Sequence, residues 1–314
     1  MKRVVSVSLG SSKRDHRVAV EILGECFEIS RLGTDGDFEK ALALLRELDG
    51  EVDAVGLGGI DVYLVARNKR YPVRDGLRLL RALQRTPACD GSGLKNTLER
   101  QVVSYLFRER ILRKGQRVLL VSAVDRFGMA EALVENGAEV IFGDLIFALG
   151  IPVPIRSLAT IAFLAAIILP VLGRLSFKIL YPTGQKQEKE KPKYGRYYDW
   201  AEVIAGDFHY IRRYLPPAIP GKIILTNTTT KRDEALLKER GARMLITTTP
   251  ELAGRSFGTN VMEAVFLAIL GKKWEEVTRE DYLNLINKIG LAPSIRVLNE
   301  ESGPSGLTAG NRPS

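Results

Sequence analysis

Polar residues that could do chemistry stand directly after apolar segments in the C-terminal two thirds of the chain. Open parallel α/β sheets bind ligands outside the carboxyl ends of their strands, where such residues would meet. We therefore expect one ligand crevice in which hydroxyl, carboxylate, amide and guanidinium groups converge. The candidate cofactor-binding residues at these strand ends are Ser122, Val124, Arg126, Gly128, Asp144, Asn227, Thr228 and Thr248.

The segment after the first of these strands has the frame of a dinucleotide-binding loop. Such a loop needs G-x-G-x-x-G, because glycines allow a tight turn and a close approach of backbone N–H groups to a pyrophosphate. In the best register, Ser122 and Val124 stand at the first two glycine positions and Gly128 at the third. Asp144 follows about 20 positions later, where an acidic residue would hold ribose hydroxyls, and Arg126 could meet a phosphate bidentately. The spacing indicates NAD or NADP, and a Rossmann-shaped sheet that binds no dinucleotide is the open alternative.

Apolar segments that alternate with helical patterns predict the elements that position these residues. The five expected strands are 117–121, 139–142, 202–205, 222–225 and 243–246. Alternation of strands with helices requires parallel pairing, because each crossover returns the chain to the same end of the sheet. Continuous apolar strands indicate burial on both faces. The predicted fold class is α/β, a Rossmann-like doubly wound parallel sheet with a smaller N-terminal α+β domain.

The N-terminal segment has a different pattern, which sets the predicted domain division. Three short strands joined by hairpins are expected first. A helix from about Phe38 to Leu48 and a buried strand over residues 52–57 follow. The predicted units are an N-terminal domain at 1–88, a Rossmann-like domain at 89–299 with an insertion at 145–198, and a disordered tail at 300–314.

The insertion contains an uncharged stretch, residues 157–173, between Arg156 and Arg174. This length is near the lower limit for a membrane span, but a span would place strands of one sheet on opposite sides of a bilayer. A crossover helix packed on the sheet is therefore the first expectation. Peripheral membrane contact through 157–173 and formation of a homodimer are the open alternatives.

Composition limits the classes of function. The chain has 314 residues and a formal net charge of +9. Its basic residues are scattered among acidic ones, so we expect no nucleic-acid partner. Two cysteines and the lack of a secretory signal pattern favour a cytoplasmic location, and two histidines exclude a multi-histidine metal site. Glu263 is expected to be an exposed or helix-capping charge.

Three runs of sequence resemble the shikimate/quinate dehydrogenase family, which includes bacterial proteins labelled quinate 5-dehydrogenase. These runs are DGSGL at 90–94, KGQRVLLV at 114–121 and LITTTP at 245–250. The similarity covers roughly residues 88–255. It implies an oxidoreductase that uses NAD or NADP to oxidise a small polyol acid such as quinate or shikimate.

The resemblance also implies catalytic residues. Members of that family place a Lys–Asp pair beside the reacting hydroxyl, and Asp90 matches the aspartate by motif. Asp90 would hold the hydroxyl and help to pass its proton. The motif does not fix the lysine, for which Lys69 and Lys95 are the candidates. The alternative function is a non-catalytic nucleotide- or anion-binding module of the same shape.

Overall fold

The computed structural model of the chain describes residues 1–67, 69–176, 192–249, 251–252 and 255–300. The strands are β1 (Lys2–Ser8), β2 (His16–Ile22), β3 (Glu25–Gly33), β4 (Ala54–Gly58), β5 (Tyr63–Ala66), β6 (Lys69–Pro72), β7 (Ala88–Cys89), β8 (Arg117–Leu120), β9 (Glu139–Phe142), β10 (Val203–Ala205), β11 (Ile223–Thr226), β12 (Met244–Thr247), β13 (Glu251–Leu252), β14 (Arg255–Ser256) and β15 (Ser294–Val297). The α-helices are α1 (Phe38–Leu48), α2 (Arg74–Leu80), α3 (Ser92–Arg108), α4 (Phe127–Glu135), α5 (Asp144–Phe147), α6 (Leu158–Leu172), α7 (Gly195–Trp200), α8 (Phe208–Tyr214), α9 (Lys231–Glu239), α10 (Thr259–Leu270) and α11 (Arg279–Ile289).

Six strands form the sheet of the C-terminal part, in the order β15-β12-β11-β10-β8-β9. The strands from β12 to β9 pair in parallel, and β15 joins β12 antiparallel at the edge. Side chains of β8 and of Val121, the next residue, enter two separate cores, Val118 and Leu120 on one face and Leu119 and Val121 on the other. The prediction of an α/β fold with a Rossmann-like parallel sheet is confirmed. Since the strand order changes direction between β8 and β10, the loops after these two strands flank the switch point.

The N-terminal sheet has the order β2-β3-β1-β4-β7. The expected hairpin between β1 and β2 is wrong, because β1 pairs in parallel with β3 instead, with Lys2 opposite Phe27. The hairpin between β2 and β3 is present. Burial explains the difference: Val4, Val5 and Val7 bury both faces of β1, which therefore takes a central place, whereas β2 has an exposed face and lies at the edge.

Helix α10, from the C-terminal part of the chain, packs across β1 and β4 of the N-terminal sheet. The approach is close, since a Cβ atom on Gly56 would lie 2.6 Å from the backbone oxygen of Asn260. The Asn260 side chain also donates from Nδ2 to Ser6 Oγ at 2.9 Å. A helix of the predicted unit 89–299 thus packs on the sheet of the predicted unit 1–88, and the division itself stays a prediction.

The uncharged stretch of the insertion forms α6, whose buried side chains include Ile161, Ala165 and Leu169. These pack on α4 and on the β5–β6 hairpin rather than on the strands of the large sheet. Among the described residues, no helix has both the length and the apolarity needed to cross a membrane. Residues 177–191 of the insertion, and the predicted tail from 301 onward, lie outside the described residues.

Candidate functional site

A narrow cleft lies beyond the carboxyl end of β8, between helix α3, the loop that joins β8 to α4, and strand β5. In this conformation it encloses about 20 Å³, which is room for one or two water molecules. Both the N-terminal and the C-terminal parts of the chain contribute to its wall. The polar residues that line it include Asp61, Tyr63, Ser92, Lys95, Asn96 and Asp125.

An ion pair between Lys95 and Asp125 lies in this cleft. Lys95 Nζ donates to Asp125 Oδ1 at 2.8 Å, with the lysine on α3 and the aspartate in the β8–α4 loop. Burial alone would lower the pKa of Lys95, but the attraction of Asp125 and Asp61 outweighs burial and raises it. Burial would likewise raise the pKa of Asp125, which Lys95 and then Arg126 lower instead. Both groups are therefore charged at neutral pH, so the cleft offers a cation and an anion to a polar ligand.

Arg126 lies beneath this pair and is almost fully buried. Its guanidinium donates to Glu99 on α3 and, at 2.9 Å, to Asp207 after β10. Burial would lower the pKa of Arg126, and the attraction of Glu99, followed by that of Asp207, raises it above its ordinary value. The predicted phosphate-binding arginine is thus placed in a buried ion-pair network that bridges the switch point of the sheet.

The carboxylate of Asp144 occupies the loop that would cradle a pyrophosphate. Its two oxygens accept hydrogen bonds from the backbone N–H groups of Ala123, at 3.1 Å, and Val124, at 2.9 Å. Burial raises the pKa of Asp144 to about 6, against the opposing effect of these two N–H groups. Because donors of this kind hold the pyrophosphate in dinucleotide sites, the loop in this conformation does not fit NAD or NADP.

Gly128, the third predicted glycine position, serves the packing of two helices. A Cβ atom there would lie 2.7 Å from the backbone oxygen of Asn96 on α3. This distance is shorter than the contacts that Cβ atoms make in proteins. Helices α3 and α4 share a large contact. Gly128 is therefore required for the close packing of α3 and α4. This packing explains the glycine without a bound ligand.

The remaining candidates at the strand ends lie at the same edge of the sheet. The Asn227 side chain donates from Nδ2 to the Asp207 carboxylate at 3.2 Å. The buried Thr248 donates its backbone N–H to the backbone carbonyl oxygen of Thr226 at 2.8 Å. Ser122 is buried, and its Oγ has no hydrogen-bond partner within the described part of the chain. Thr228 is half-buried. The structure thus brings the strand ends together, and a role for these residues in holding a ligand stays a prediction.

Two of the three predicted catalytic residues do not line the cleft. The Asp90 carboxylate accepts backbone N–H groups from Val62 at 2.6 Å, Tyr63 at 3.1 Å and Ser92 at 2.7 Å. These bonds tie the start of β5 to the start of α3, which is a structural role. Lys69 is exposed on β6. Lys95 lines the cleft. Its partner Asp125 is not among the residues predicted for the site, although it stands in the loop after the first strand, next to Arg126.

A second polar cluster is buried where α10 meets α3 and α11. Glu263 is fully buried, and its Oε1 accepts hydrogen bonds from Leu94 N at 3.1 Å, Trp274 Nε1 at 3.1 Å and the Tyr282 hydroxyl. Burial, followed by the charge of Asp90, raises the pKa of Glu263 to about 7. The expectation of an exposed or capping charge is wrong, because α10 is apolar on all sides and is enclosed. Within the ranges that the structure describes, no three His, Cys, Asp or Glu side chains are placed to hold a metal ion.

Two family models match successive parts of this sequence. One, described as a domain of unknown function (DUF8754), matches residues 93–298, and the other, also a domain of unknown function (DUF8753), matches residues 3–90. The first match covers well over half of the chain. The chain belongs to the DUF8754 family. In this DUF8754 protein, the matched range contains Lys95, Asp125 and the whole parallel sheet, while Asp61 and Tyr63 come from the DUF8753 range.

A search of curated proteins finds no match, but several solved structures are similar over most of the DUF8754 chain. L-tryptophan dehydrogenase from Nostoc punctiforme is 10% identical, with a TM-score of 0.39 over 92% of this chain and 80% of that one. A glucose-galactose binding protein from Geobacillus stearothermophilus is 10% identical, with a TM-score of 0.38 over 96% and 99%. NAD-dependent malic enzyme from Thermotoga maritima is 12% identical, with a TM-score of 0.36 over 92% and 84%. Similarity at this level carries no inference about ligand or activity.

Proposed function

We propose that this chain binds a small hydroxylated acid, of the polyol-acid class that includes quinate and shikimate, in the Lys95 cleft. The observation that carries the proposal is the Lys95–Asp125 ion pair, 2.8 Å long, in a cleft lined by further polar groups. A charged lysine binds a ligand carboxylate by a charge-assisted hydrogen bond, and carboxylates accept hydrogen bonds from hydroxyl groups. Asp125 and Asp61 would contact the hydroxyls and Lys95 the carboxylate.

Binding of such a ligand requires the cleft to widen. A polyol acid with a six-membered ring needs several times the present 20 Å³, since ligand pockets generally measure about 300 Å³ or more. The two walls come from different sheets, so a separation of β5 from the β8–α4 loop would open the site without breaking either sheet. We place this activity in the cytoplasm, because Cys26 and Cys89 are both free thiols.

Oxidation of the acid with NAD or NADP, as in the shikimate/quinate dehydrogenases, is the second candidate. The Lys95–Asp125 pair favours this oxidation. Asp125 would then have the role that the family resemblance assigns to Asp90. The contacts of Asp144 with the Ala123 and Val124 N–H groups speak against a bound dinucleotide in this conformation. Binding without oxidation, by a non-catalytic module, is therefore the first candidate.

Thermal unfolding with added ligands tests the proposal. Quinate or shikimate at 100 times its Kd should stabilise the folded chain by about 2.7 kcal/mol, which corresponds to roughly 4 °C in Tm for a chain of this size. Lys95→Met should abolish the shift, whereas the matched control Lys69→Met, at an exposed position outside the cleft, should keep it. Cyclohexanecarboxylate, which lacks the hydroxyls, serves as the ligand control. If neither polyol acid at millimolar concentration shifts Tm, the proposal is wrong.

The same panel separates the two candidates. A shift with NAD or NADP, together with reduction of the nicotinamide in the presence of the acid, would establish the oxidoreductase. Asp125→Asn should then lose turnover, whereas Asp90→Asn should change stability more than turnover. A shift with the acid but with neither nucleotide would establish the non-catalytic module.

A further inference from the structure

A row of large apolar side chains lies exposed on the outer face of α6. Phe163 is 65% exposed, Ile167 54% and Val171 60%. Their spacing of four residues places them on one side of the helix. We call these three residues the apolar ridge. Helix α6 is already fixed through its buried inner face, so its folding does not explain the ridge, and lined-up exposed apolar residues of this kind mark interaction sites.

Cationic groups stand at both ends of the ridge. Arg156 precedes α6 and Arg174 follows it, and both are exposed. Arg196 lies beside the segment that leads into the helix, since its Nη2 donates to the Pro152 oxygen at 3.0 Å. Residues 145–176 and 192–198 contain no Asp or Glu. Outside these ranges, Glu139 pairs with Arg156 at 2.8 Å, and beyond the C-terminal end of α6 Ser176 shares a surface pocket with Glu39 and Asp75.

Aromatic side chains lie with these cations. The Arg156 guanidinium stacks 5.1 Å from the centre of the Trp200 ring, and the Tyr194 hydroxyl donates to the Gly150 oxygen at 3.3 Å. Leu149 and Ile151, in the same segment, are exposed at 57% and 44%. Apolar residues flanked by arginine, tryptophan and tyrosine form the composition that binds at the boundary between lipid headgroups and acyl chains.

We infer that the outer face of α6 docks on an anionic lipid surface, with the helix lying in the plane of the interface. At 15 residues, α6 is about 22 Å long, too short to cross the hydrocarbon core but suited to lie along it. The apolar ridge enters the acyl boundary, and Arg156 and Arg174 meet headgroup phosphates. Anionic lipid complements these charges.

A second copy of the chain fits the same face less well. If two copies of α6 packed antiparallel about a two-fold axis, Arg156 of each would approach Arg174 of the other, and parallel packing would bring identical arginines together. Either arrangement brings like charges close in an interface that excludes water, which opposes association.

Vesicle flotation with the full chain tests the inference. The probe is a vesicle of phosphatidylcholine and phosphatidylglycerol in a 3:1 ratio, compared with pure phosphatidylcholine. The double variant Phe163→Gln/Ile167→Gln should lower the partition coefficient more than about tenfold, because two large apolar side chains no longer enter the lipid. Arg174→Gln should lower it about fivefold on anionic vesicles, as expected for one cation near a charged surface. All these positions are exposed, so Tm should not change.

Matched controls carry the same chemical changes elsewhere. Val297→Gln removes an apolar side chain that is 65% exposed on β15, and Lys13→Gln removes an exposed cation near the N-terminus. Neither should affect flotation. The inference is overturned if the wild type fails to float with anionic vesicles, if the ridge variant floats equally well, or if light scattering shows a dimer that the ridge variant dissociates.

Discussion

Replacement of the buried Glu263 by glutamine should remove a pH-dependent loss of stability. The pKa of this carboxyl is raised from 4.5 to about 7 in the folded chain, chiefly by burial. Below pH 4.5 the group is protonated in both states and has no effect. As the pH rises to 7, the unfolded chain releases the proton while the folded chain keeps it, so the free energy of unfolding falls by about 1.4 kcal/mol per pH unit. Above pH 7 the loss levels off, at about 3 kcal/mol.

Glutamine suits this position because of how the hydrogen bonds are distributed. All three donors, Leu94 N, Trp274 Nε1 and the Tyr282 hydroxyl, contact Oε1, which the amide oxygen of Gln can replace. Oε2 has no hydrogen-bond partner within the described residues, so the amide NH₂ in its place breaks no existing bond. The NH₂ is itself left unpaired, and this cost is the same at every pH. Glu263→Leu, by contrast, would leave all three donors unpaired and should destabilise the chain at every pH.

Urea denaturation at intervals from pH 4.5 to 8 measures the effect. The difference in unfolding free energy between Glu263→Gln and the wild type should grow by about 3 kcal/mol over this range, or roughly 5 °C in Tm. Other titrating groups cancel in this difference. If it is the same at pH 5 and pH 8, Glu263 does not titrate in this range and the reasoning from its burial is refuted.

Three further predictions concern the residues in and beside the β8–α4 loop. Arg126→Met should cost about 3–5 kcal/mol in urea denaturation, because it leaves Glu99 buried without its cation, and Arg126→Met/Glu99→Met should recover much of this loss. Gly128→Ala should cost about 1–3 kcal/mol by the same measurement, because its Cβ would press on the Asn96 backbone. The pKa of Asp144 is raised from 3.8 to about 6, so wild-type stability should fall between pH 4 and 6 relative to Asp144→Asn, by about 3 kcal/mol. A pH-independent difference would mean that Asp144 is not buried as described.

The large sheet was predictable from the sequence because its signal is local. Each of its five parallel strands is a short apolar run, and runs buried on both faces show no alternation. Gly137 and Gly241 both have positive φ values, 86° and 84°, and end helices where the sequence places glycine. Helices between the strands require parallel pairing, so the convergence of their carboxyl ends could be inferred from the sequence, whereas the order of the strands could not.

The N-terminal sheet and the cleft depend on contacts that are distant in sequence. The parallel pairing of β1 with β3 cannot be told from a hairpin by alternation alone. Helix α10 packs on β1 and β4, and there Asn260 donates a hydrogen bond to Ser6. No local sequence pattern predicts a contact between residues so far apart in the chain. The family motif pointed to Asp90, and nothing in a single sequence shows that the Asp90 oxygens accept three backbone N–H groups.

Asp144 shows where recognition of a cofactor is decided. The sequence spacing places an acidic residue after the second strand of the sheet, where a dinucleotide site needs one to bind the ribose. In the structure, Asp144 does lie just after this strand, β9. The carboxylate nevertheless turns to the N–H groups of Ala123 and Val124, which in a dinucleotide site would meet phosphate. Asp144 is thus at the position expected of a ribose-binding carboxylate and still excludes the pyrophosphate, because the N–H groups that would bind the phosphate already donate to Asp144. Binding of NAD or NADP by this chain would therefore require Asp144 to leave the loop first, and protonation near its raised pKa of about 6 would weaken the contacts that hold it there.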